Sequence, residues 1–180
     1  GRSPGHVASF FAGFAGSPEF FACGGQQFAD NIQRFHAMAV RDDLYMAYAI
    51  AHPTIDRSKL AHQQPEPNLY ASVYKERDDG VIVRGAMMIA TAAVIADYTF
   101  VSVIFPLAPG DEDYAISFAV PNNAPGFKIY PCRPYSVGQP SVFDYPLSIR
   151  FDETDSLIVL DDVFIPREDV FIYRNIELTT

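Results

Sequence analysis

The chain has 180 residues, enough for one domain with a hydrophobic core, or for one domain and part of a second. Hydrophobic residues make up 49% of it and charged residues 19%, which is typical of a globular protein and excludes a disordered one. The 13 Lys and Arg against 22 Asp and Glu give a formal charge of −9. That charge disfavours nucleic acid and anionic membranes as partners.

The first part of the chain has helical periodicity. Apolar residues at helical spacing predict a helix from Pro4 to Ala15, which Gly16 and the following Pro18 end. A second helix is predicted from Gln26 to about Val40. Its apolar stripe consists of Phe28, Ile32, Phe35 and Ala39.

From residue 44 onward the pattern is that of short strands separated by Gly and Pro. One short helix is predicted in this part, from Met87 to Ala96, and a glycine turn at Gly80 joins two strands into a hairpin. The predicted strands are Leu44–Ile50, Leu69–Lys75, Val81–Arg84, Thr99–Ile104, Tyr114–Val120, Phe127–Tyr130, Leu147–Phe151, Ser156–Leu160, Val163–Ile165 and Val170–Tyr173. Together these elements predict an α+β chain, in which a helical lead-in precedes a mostly antiparallel β-barrel or sandwich.

The span 86–108 is long and apolar enough to raise the question of a membrane helix. Asp97 lies inside it and Pro106 lies near its end, so we interpret it as a buried helix followed by a buried strand. No basic segment precedes an apolar stretch at the start of the chain, so no secretory signal is predicted. We expect no membrane partner.

Cysteine usage and the ends of the chain indicate its context. Cys23 and Cys132 lack the spacing of a metal or disulfide motif, which favours two free thiols in a reducing cytoplasm. The chain begins at Gly1 already inside a motif and ends at Thr180 without a closing element. This is typical of an internal fragment.

Common nucleotide and catalytic motifs are missing from the sequence. It contains no GxGxxG after a strand, no GxxxxGK[ST] loop and no GxSxG elbow. The histidines lack the spacing of a zinc site. These are His6, His36, His52 and His62.

A first candidate pair opens the chain. Arg2 and His6 are four residues apart and would share one face of a helix. A guanidinium beside an imidazole can stabilise a bound phenolate, because positive charge and hydrogen-bond donors favour the ionised oxygen. The alternative is an ordinary helix start with a solvated charge.

Arg57 and Thr91 are two further candidate binding residues, and for each of them a purely structural role is the alternative. Arg57 offers a planar fork suited to a pyrophosphate or to a carbonyl edge, although Asp56 and Arg57 could instead form a surface pair. The Thr91 hydroxyl lies in an apolar stretch and needs a partner if it is buried. A helical threonine that bonds its own backbone is the alternative for that residue.

Three motifs in this order resemble a known family. They are Gly1–Val7 (GRSPGHV), Asp56–Lys59 (DRSK) and Gly85–Thr91 (GAMMIAT). The chain resembles the two-component FAD-dependent phenol hydroxylases, the group of 4-hydroxyphenylacetate 3-monooxygenase. It departs from the family pattern at four positions. These are Gly5, where an acidic residue is usual, Tyr48 for His, Thr54 for Gln, and Met87 for Arg or Lys.

The resemblance implies a role for each candidate. Arg2 and His6 would bind the phenolic oxygen of the substrate, and Tyr48 would lie between substrate and flavin as a further catalytic residue. Ser102 would touch the substrate. The implied FAD contacts are Tyr48, Thr54, Asp56, Arg57 and Thr91. For Tyr48 the alternative is a core ring with a satisfied hydroxyl.

The resemblance also implies an acyl-CoA-dehydrogenase-like architecture. Residues 1–42 would be the end of an N-terminal helical region and residues 43–180 the middle β domain. A C-terminal helical domain, which would complete the flavin site and drive assembly into a homotetramer, would lie outside this chain.

The implied reaction is the ortho-hydroxylation of a phenol by reduced FAD and dioxygen. The implied partners are the phenolic substrate, a separate flavin reductase and further copies of the same protein, all in the cytoplasm. The chain by itself is expected to be inactive. One alternative is an FAD enzyme similar to 4-hydroxybutyryl-CoA dehydratase, which needs several cysteines for an iron–sulfur cluster. The other is a β module that binds a ligand or assembles without catalysis.

Overall fold

The structure is a computed structural model, and it describes residues 5–134, 137–138, 141–151 and 154–179. Helices come first in the chain and strands dominate after them. The helices of the described part are α1 (His6–Gly16), α2 (Glu19–Ala22), α3 (Gln26–Arg41), α4 (Ser148–Phe151) and α5 (Ile176–Thr179). Its strands are β1 (Met46–Ala49), β2 (Ser72–Arg77), β3 (Gly80–Met87), β4 (Tyr98–Val101), β5 (Ile116–Pro121), β6 (Phe127–Pro131), β7 (Ser156–Pro166) and β8 (Val170–Tyr173).

The two long helices confirm the sequence prediction. The stripe predicted for α3 is buried along its whole length, with Ile32 and Phe35 fully enclosed. On α1, Val7 and Phe11 are the buried residues. The predicted boundary at residue 42 falls on the residue that caps α3, Asp42. The division into two domains stays a prediction.

The described strands form two four-stranded sheets. Sheet 1 has the order β1-β4-β5-β8 and sheet 2 the order β2-β3-β7-β6. Adjacent strands are antiparallel except β1 and β4, which are parallel. The mostly antiparallel α+β architecture is therefore confirmed. Neither sheet closes into a barrel among the described residues, so the barrel alternative is wrong.

Sheet 1 lies between the helices and sheet 2. Every residue of β5 from Ile116 to Val120 is buried, which requires cover on both faces of the sheet. On the helical side aromatic rings pack in edge-to-face and tilted pairs, geometries that aromatic quadrupoles favour over a face-to-face sandwich. We call this set, Phe11, Phe35, Phe100 and Phe171, the aromatic core; its ring centroids lie 4.8–6.3 Å apart.

The helix predicted from Met87 to Ala96 is wrong. Met87 is the last residue of β3, and only a single 3₁₀ turn follows, at Ala93–Ile95. Ile89 and Ala92 have φ of +60° and +61°, values that an α-helix cannot contain. The backbone N–H groups of this segment bond other parts of the chain, so they are unavailable to a helix. The N–H of Met88 donates to the carbonyl of Ala51, that of Ala90 to Ser156, and that of Ala92 to Thr154.

Two strand predictions near the end of the chain also change. The strand predicted at Leu147–Phe151 is wrong, because residues 148–151 form the one-turn helix α4. The two strands predicted from Ser156 and from Val163 are one continuous strand, β7. Asp162 has a φ of +55° there, and the register with β3 shifts nearby, which is the mark of a bulge.

Both cysteines are exposed and unpaired, which confirms the free thiols. In the described part of the chain, no helix has both the length and the apolar character that a membrane crossing requires. The span 86–108 consists of strand, turns and strand.

Candidate functional site

The contact between α1 and β1 brings two predicted site residues together. The His6 and Tyr48 rings have centroids 5.8 Å apart, and Phe10 lies 4.9 Å from His6 and 6.0 Å from Tyr48. All three are half-buried. Residues from the start of the chain and from the first strand therefore share one aromatic cluster. Arg2, predicted to act with His6, lies outside the described residues.

The chain leaves β1 and enters the wall of a pocket of about 400 Å³, which we call the loop pocket. Two loops form it, one following β1 and one following β4. Its lining consists of His52, Pro53, Thr54, Asp56, Arg57, Lys59, Leu60, Ala61, Tyr70, Phe105, Pro106 and Leu107. Three of the predicted FAD contacts, Thr54, Asp56 and Arg57, are thus brought to one cavity.

Within the turn at residues 54–59, the Asp56 carboxylate is bonded to Ser58 and ion-paired with Lys59 at 3.5 Å. The Asp56 Oδ1 accepts hydrogen bonds from the Ser58 hydroxyl at 2.6 Å and from the Ser58 N–H at 3.0 Å. These bonds, with a smaller contribution from Lys59, lower the pKa of Asp56. The Arg57 guanidinium donates to the Thr54 hydroxyl at 3.3 Å. No Asp56–Arg57 ion pair forms among the described residues, so that alternative is wrong.

His52 and Tyr70 form an aromatic wall of the loop pocket that the sequence did not reveal. Their rings stack with centroids 4.2 Å apart and planes 9° from parallel, and Phe105 lies 6.2 Å from His52. His52 is only 7% exposed. In the sequence it stands two residues after the predicted strand Leu44–Ile50 and before Pro53, in a stretch that resembles the family's strand near the flavin, and nothing there singles out the histidine.

Burial determines the charge of His52. Desolvation lowers the pKa of its imidazole to about 4, although the Asp111 carboxylate acts in the opposite direction. The ring is therefore neutral at pH 7. Its Nε2 is buried and has no hydrogen-bond partner in the part of the chain that the structure describes.

The buried carboxylate of Asp111 is hydrogen-bonded to residues near the ends of both loops of the pocket. Asp111 is 1% exposed and accepts hydrogen bonds from the His62 N–H, the His62 ring and the Ala108 N–H, at 2.8, 2.8 and 3.0 Å. Burial raises the pKa of Asp111, but these hydrogen bonds outweigh burial and leave the pKa lowered. His62 follows the first loop and Ala108 ends the second, so the carboxylate fixes their separation.

Ser102 lies next to β1 and Thr91 lies next to Asp155, just before β7; neither lines the loop pocket. Thr91 is 7% exposed and its hydroxyl donates to the Asp155 carboxylate at 2.5 Å, so the alternative of a helical threonine bonding its own backbone is wrong. The Ser102 hydroxyl lies 2.5 Å from the hydroxyl of Ser117. The Ser102 N–H donates to the carbonyl of Ala49 at 3.2 Å, which places Ser102 beside the strand that carries Tyr48.

A comparison with protein families decides what kind of chain this is. The family described as 4-hydroxyphenylacetate 3-hydroxylase N terminal matches residues 1–172. The chain belongs to this family. The resemblance inferred from three short motifs is thereby confirmed over nearly the whole sequence.

Other members of the hydroxylase family are similar over the full chain. The oxygenase component of 4-hydroxyphenylacetate 3-monooxygenase from Pseudomonas aeruginosa is 39% identical over 98% of this chain and 34% of its own length. The component of the same name from Thermus thermophilus is 36% identical over 99% of this chain and 36% of its own length. The chain therefore spans about a third of the length of these relatives.

Solved structures agree with the family. The oxygenase component HpaB of 4-hydroxyphenylacetate 3-monooxygenase, complexed with FAD and 4-hydroxyphenylacetate, is 35% identical and has a TM-score of 0.87. The match covers 99% of this chain and 36% of that one. The architecture is accordingly that of the acyl-CoA-dehydrogenase-like enzymes.

The dehydratase named as an alternative shares the architecture too. A 4-hydroxybutyryl-CoA dehydratase from N. maritimus is 25% identical, with a TM-score of 0.82 over 96% of this chain and 35% of its own. In this chain, Cys23 caps α2 and Cys132 follows β6. The described residues contain no group of three or more His, Cys, Asp or Glu that could hold a metal ion.

Proposed function

We propose that the complete protein is the oxygenase component of a two-component flavin monooxygenase, which hydroxylates a phenol ortho to its hydroxyl group. Reduced FAD and dioxygen supply the oxygen atom that is transferred. A separate reductase provides the reduced FAD. The observation that supports this most directly is the loop pocket, which gathers Thr54, Asp56 and Arg57 beside β1 in a chain of this family.

The residues of the loop pocket fit a flavin nucleotide. Arg57 and Lys59 are cations on its lining, suited to the pyrophosphate of FAD. The stacked rings of His52 and Tyr70 offer a flat apolar face, and the buried His52 nitrogen needs a partner. FAD combines these same chemistries, since it has anionic oxygens, planar rings and polar ring edges.

The substrate would lie at the aromatic cluster of His6, Phe10 and Tyr48. Arg2 and His6 would donate to the phenolic oxygen and favour its ionised form, which is the more reactive one. Tyr48 would donate to the same oxygen and orient the ring. Phe10 contacts both rings and would exclude water from the reacting atoms.

Two candidate contacts would act from outside the loop pocket. We infer that Ser102 touches the substrate from its position next to Ala49. Thr91 would contact the flavin through a hydroxyl oxygen that still has a lone pair to offer, since its proton is donated to Asp155. Tyr48 would also contact the flavin, as the residue between the two ligands.

The rest of the molecule follows from the same proposal. Residues 1–42 are the end of an N-terminal helical region, residues 43–180 the middle β domain, and a C-terminal helical domain completes the flavin site and a homo-oligomer. The protein acts in the cytoplasm. A dehydratase similar to the N. maritimus enzyme, or a β module without catalysis, remains the alternative.

One experiment separates these functions. The complete protein is mixed without oxygen with reduced FAD and 4-hydroxyphenylacetate as the test phenol, and oxygen is then added. The proposal predicts bound flavin and a catechol product, and the 180-residue chain alone gives no product. A complete protein that binds no flavin and leaves the phenol unchanged would contradict the proposal, and product formation by the isolated chain would contradict the inferred need for a further domain.

A further inference from the structure

His52 is as deeply buried as a core residue but is not satisfied like one. It is 7% exposed and its ring stacks on Tyr70. Any flat ring could make that stacking contact, so the contact does not require a histidine. Its Nε2, however, is buried with no hydrogen-bond partner within the described chain. A buried polar atom without a partner costs free energy, so the fold alone gives no reason for a histidine here.

The missing partner must come from outside the described residues. Asp111 interacts electrostatically with the ring, and Asp56, Arg57 and Lys59 are the charged residues that line the same pocket. None of them hydrogen-bonds to the imidazole. The imidazole is neutral at pH 7, because burial lowers its pKa to about 4. A neutral ring can donate from one nitrogen and accept at the other.

The position of His52 indicates what that partner is. It lies on the wall of the loop pocket, between the strand that carries Tyr48 and the turn that carries Thr54 and Arg57. Ligand pockets are mostly apolar, with a few polar groups that fix the orientation of the ligand. His52 and Tyr70 combine both features in one stacked pair.

We propose that His52 is a ligand-binding residue of the loop pocket, which hydrogen-bonds a polar atom of the bound flavin nucleotide while its ring stays stacked on Tyr70. This rests on the proposed function, because FAD is the ligand assigned to the pocket. It adds to that function a residue to which the family motifs assign no role. The neutral imidazole orients the ligand without adding charge to the site.

The proposal makes an unusual prediction for His52→Phe in the complete protein. Phenylalanine keeps the stacked ring and removes the unpartnered nitrogen, so the ligand-free protein becomes more stable, with a midpoint of thermal unfolding about 2 °C higher. The Kd for FAD rises about tenfold, because one hydrogen bond to the ligand is lost. A residue that only fills the core would not shift the two quantities in these directions.

Two further variants serve as controls. His62→Phe removes an imidazole that is hydrogen-bonded to the buried Asp111, so the ligand-free protein should unfold at a lower temperature. His52→Asn keeps a polar group and loses the ring, and its Kd should lie between those of the wild type and His52→Phe. FAD is titrated by its fluorescence in the oxidised form and, without oxygen, by its absorbance in the reduced form.

The outcomes distinguish the inference from the proposed function. If the wild type binds FAD and His52→Phe binds it equally well, the role of His52 is wrong and the proposed function stands. A His52→Phe protein that is less stable than the wild type, or that does not fold, also contradicts the role of His52. If the wild type binds neither form of FAD, the proposed function itself fails.

Discussion

Phe35 in the aromatic core and His52 in the loop pocket are both buried, yet their surroundings differ. Phe35 is fully enclosed by rings of the helices and of sheet 1, and it has no polar atom to satisfy. His52 stacks on one ring and keeps a nitrogen without a partner in the described chain. Phe35 is satisfied by packing within the fold, whereas the His52 nitrogen needs a hydrogen-bond partner that the described chain does not supply. Burial alone therefore does not distinguish a packing residue from a binding one.

Substitution in the aromatic core tests the first half of this comparison and has the largest expected effect. Phe35→Ala should lower the free energy of unfolding of the complete protein by about 3–5 kcal/mol, because it leaves a cavity that the surrounding rings fill only in part. Denaturant unfolding measures this. Phe143→Ala, at a position 92% exposed, is the control and should change it by less than about 0.5 kcal/mol. Equal effects at the two positions would contradict the assignment of the core.

The pH dependence of stability tests the unusual state of His52. The folded pKa of about 4 lies below the ordinary 6.5, so the unfolded chain takes up a proton first as the pH falls. Stability should therefore be full above about pH 7 and decline towards pH 4, with about 3 kcal/mol attributable to this residue. Asp111, whose pKa is lowered, contributes in the same direction at lower pH.

The variant His52→Phe isolates that contribution. It retains Asp111 and the other acidic groups, so the difference between the two unfolding curves reports His52 alone. The gap in the free energy of unfolding should widen in favour of the variant between pH 7 and pH 4. Parallel curves would show that the imidazole is not desolvated in the folded protein.

Substitution of Arg57 tests whether a residue of the loop pocket contributes more to FAD binding than to the free energy of unfolding. Its hydrogen bond within the described chain goes to Thr54 at 3.3 Å, so Arg57→Ala should leave the unfolding free energy within about 0.5 kcal/mol of the wild type. The loss of a charge-assisted contact should weaken FAD binding by about 1.5–3 kcal/mol. Isothermal titration measures the binding. Arg77→Ala removes a pair between the last residue of β2 and Asp79 in the following turn; it is the matched control and should leave FAD binding unchanged.

Tyr48 has the smallest expected effect, and it concerns the substrate. Tyr48→Phe keeps the ring beside His6 and Phe10 and removes the hydroxyl. The Kd of the phenol for the FAD-loaded protein should rise by the equivalent of about 0.5–1.5 kcal/mol, while FAD binding changes less. Equilibrium titration with 4-hydroxyphenylacetate checks this. An unchanged phenol Kd would favour the alternative, in which Tyr48 is a core ring.

The sequence was sufficient where one physical rule determines the structure. The stripe on α3 and the hairpin around Gly80 follow from side-chain period and turn chemistry, and both were predicted correctly. The segment from Met87 to Ala96 was not, because its conformation depends on hydrogen bonds to Ala51, Ser156 and Thr154, which lie far away in the sequence. Local propensity contains no information on such partners.

The candidate site divides in the same way. Family motifs directed attention to Thr54 and Arg57, and the structure places both on one pocket. No motif assigned a role to His52, because this residue is distinguished by its burial beside Tyr70 and by an unsatisfied nitrogen. These are properties of the folded chain only. A histidine at the end of a strand is compatible with many environments, so the sequence could not assign this one.

A crystal structure of the complete protein with FAD would show which residues hold the flavin. We expect the flavin nucleotide in the loop pocket, with Arg57 and His52 both within hydrogen-bond distance of it. Flavin bound elsewhere, with the loop pocket filled by solvent or by another segment of the protein, would contradict the account.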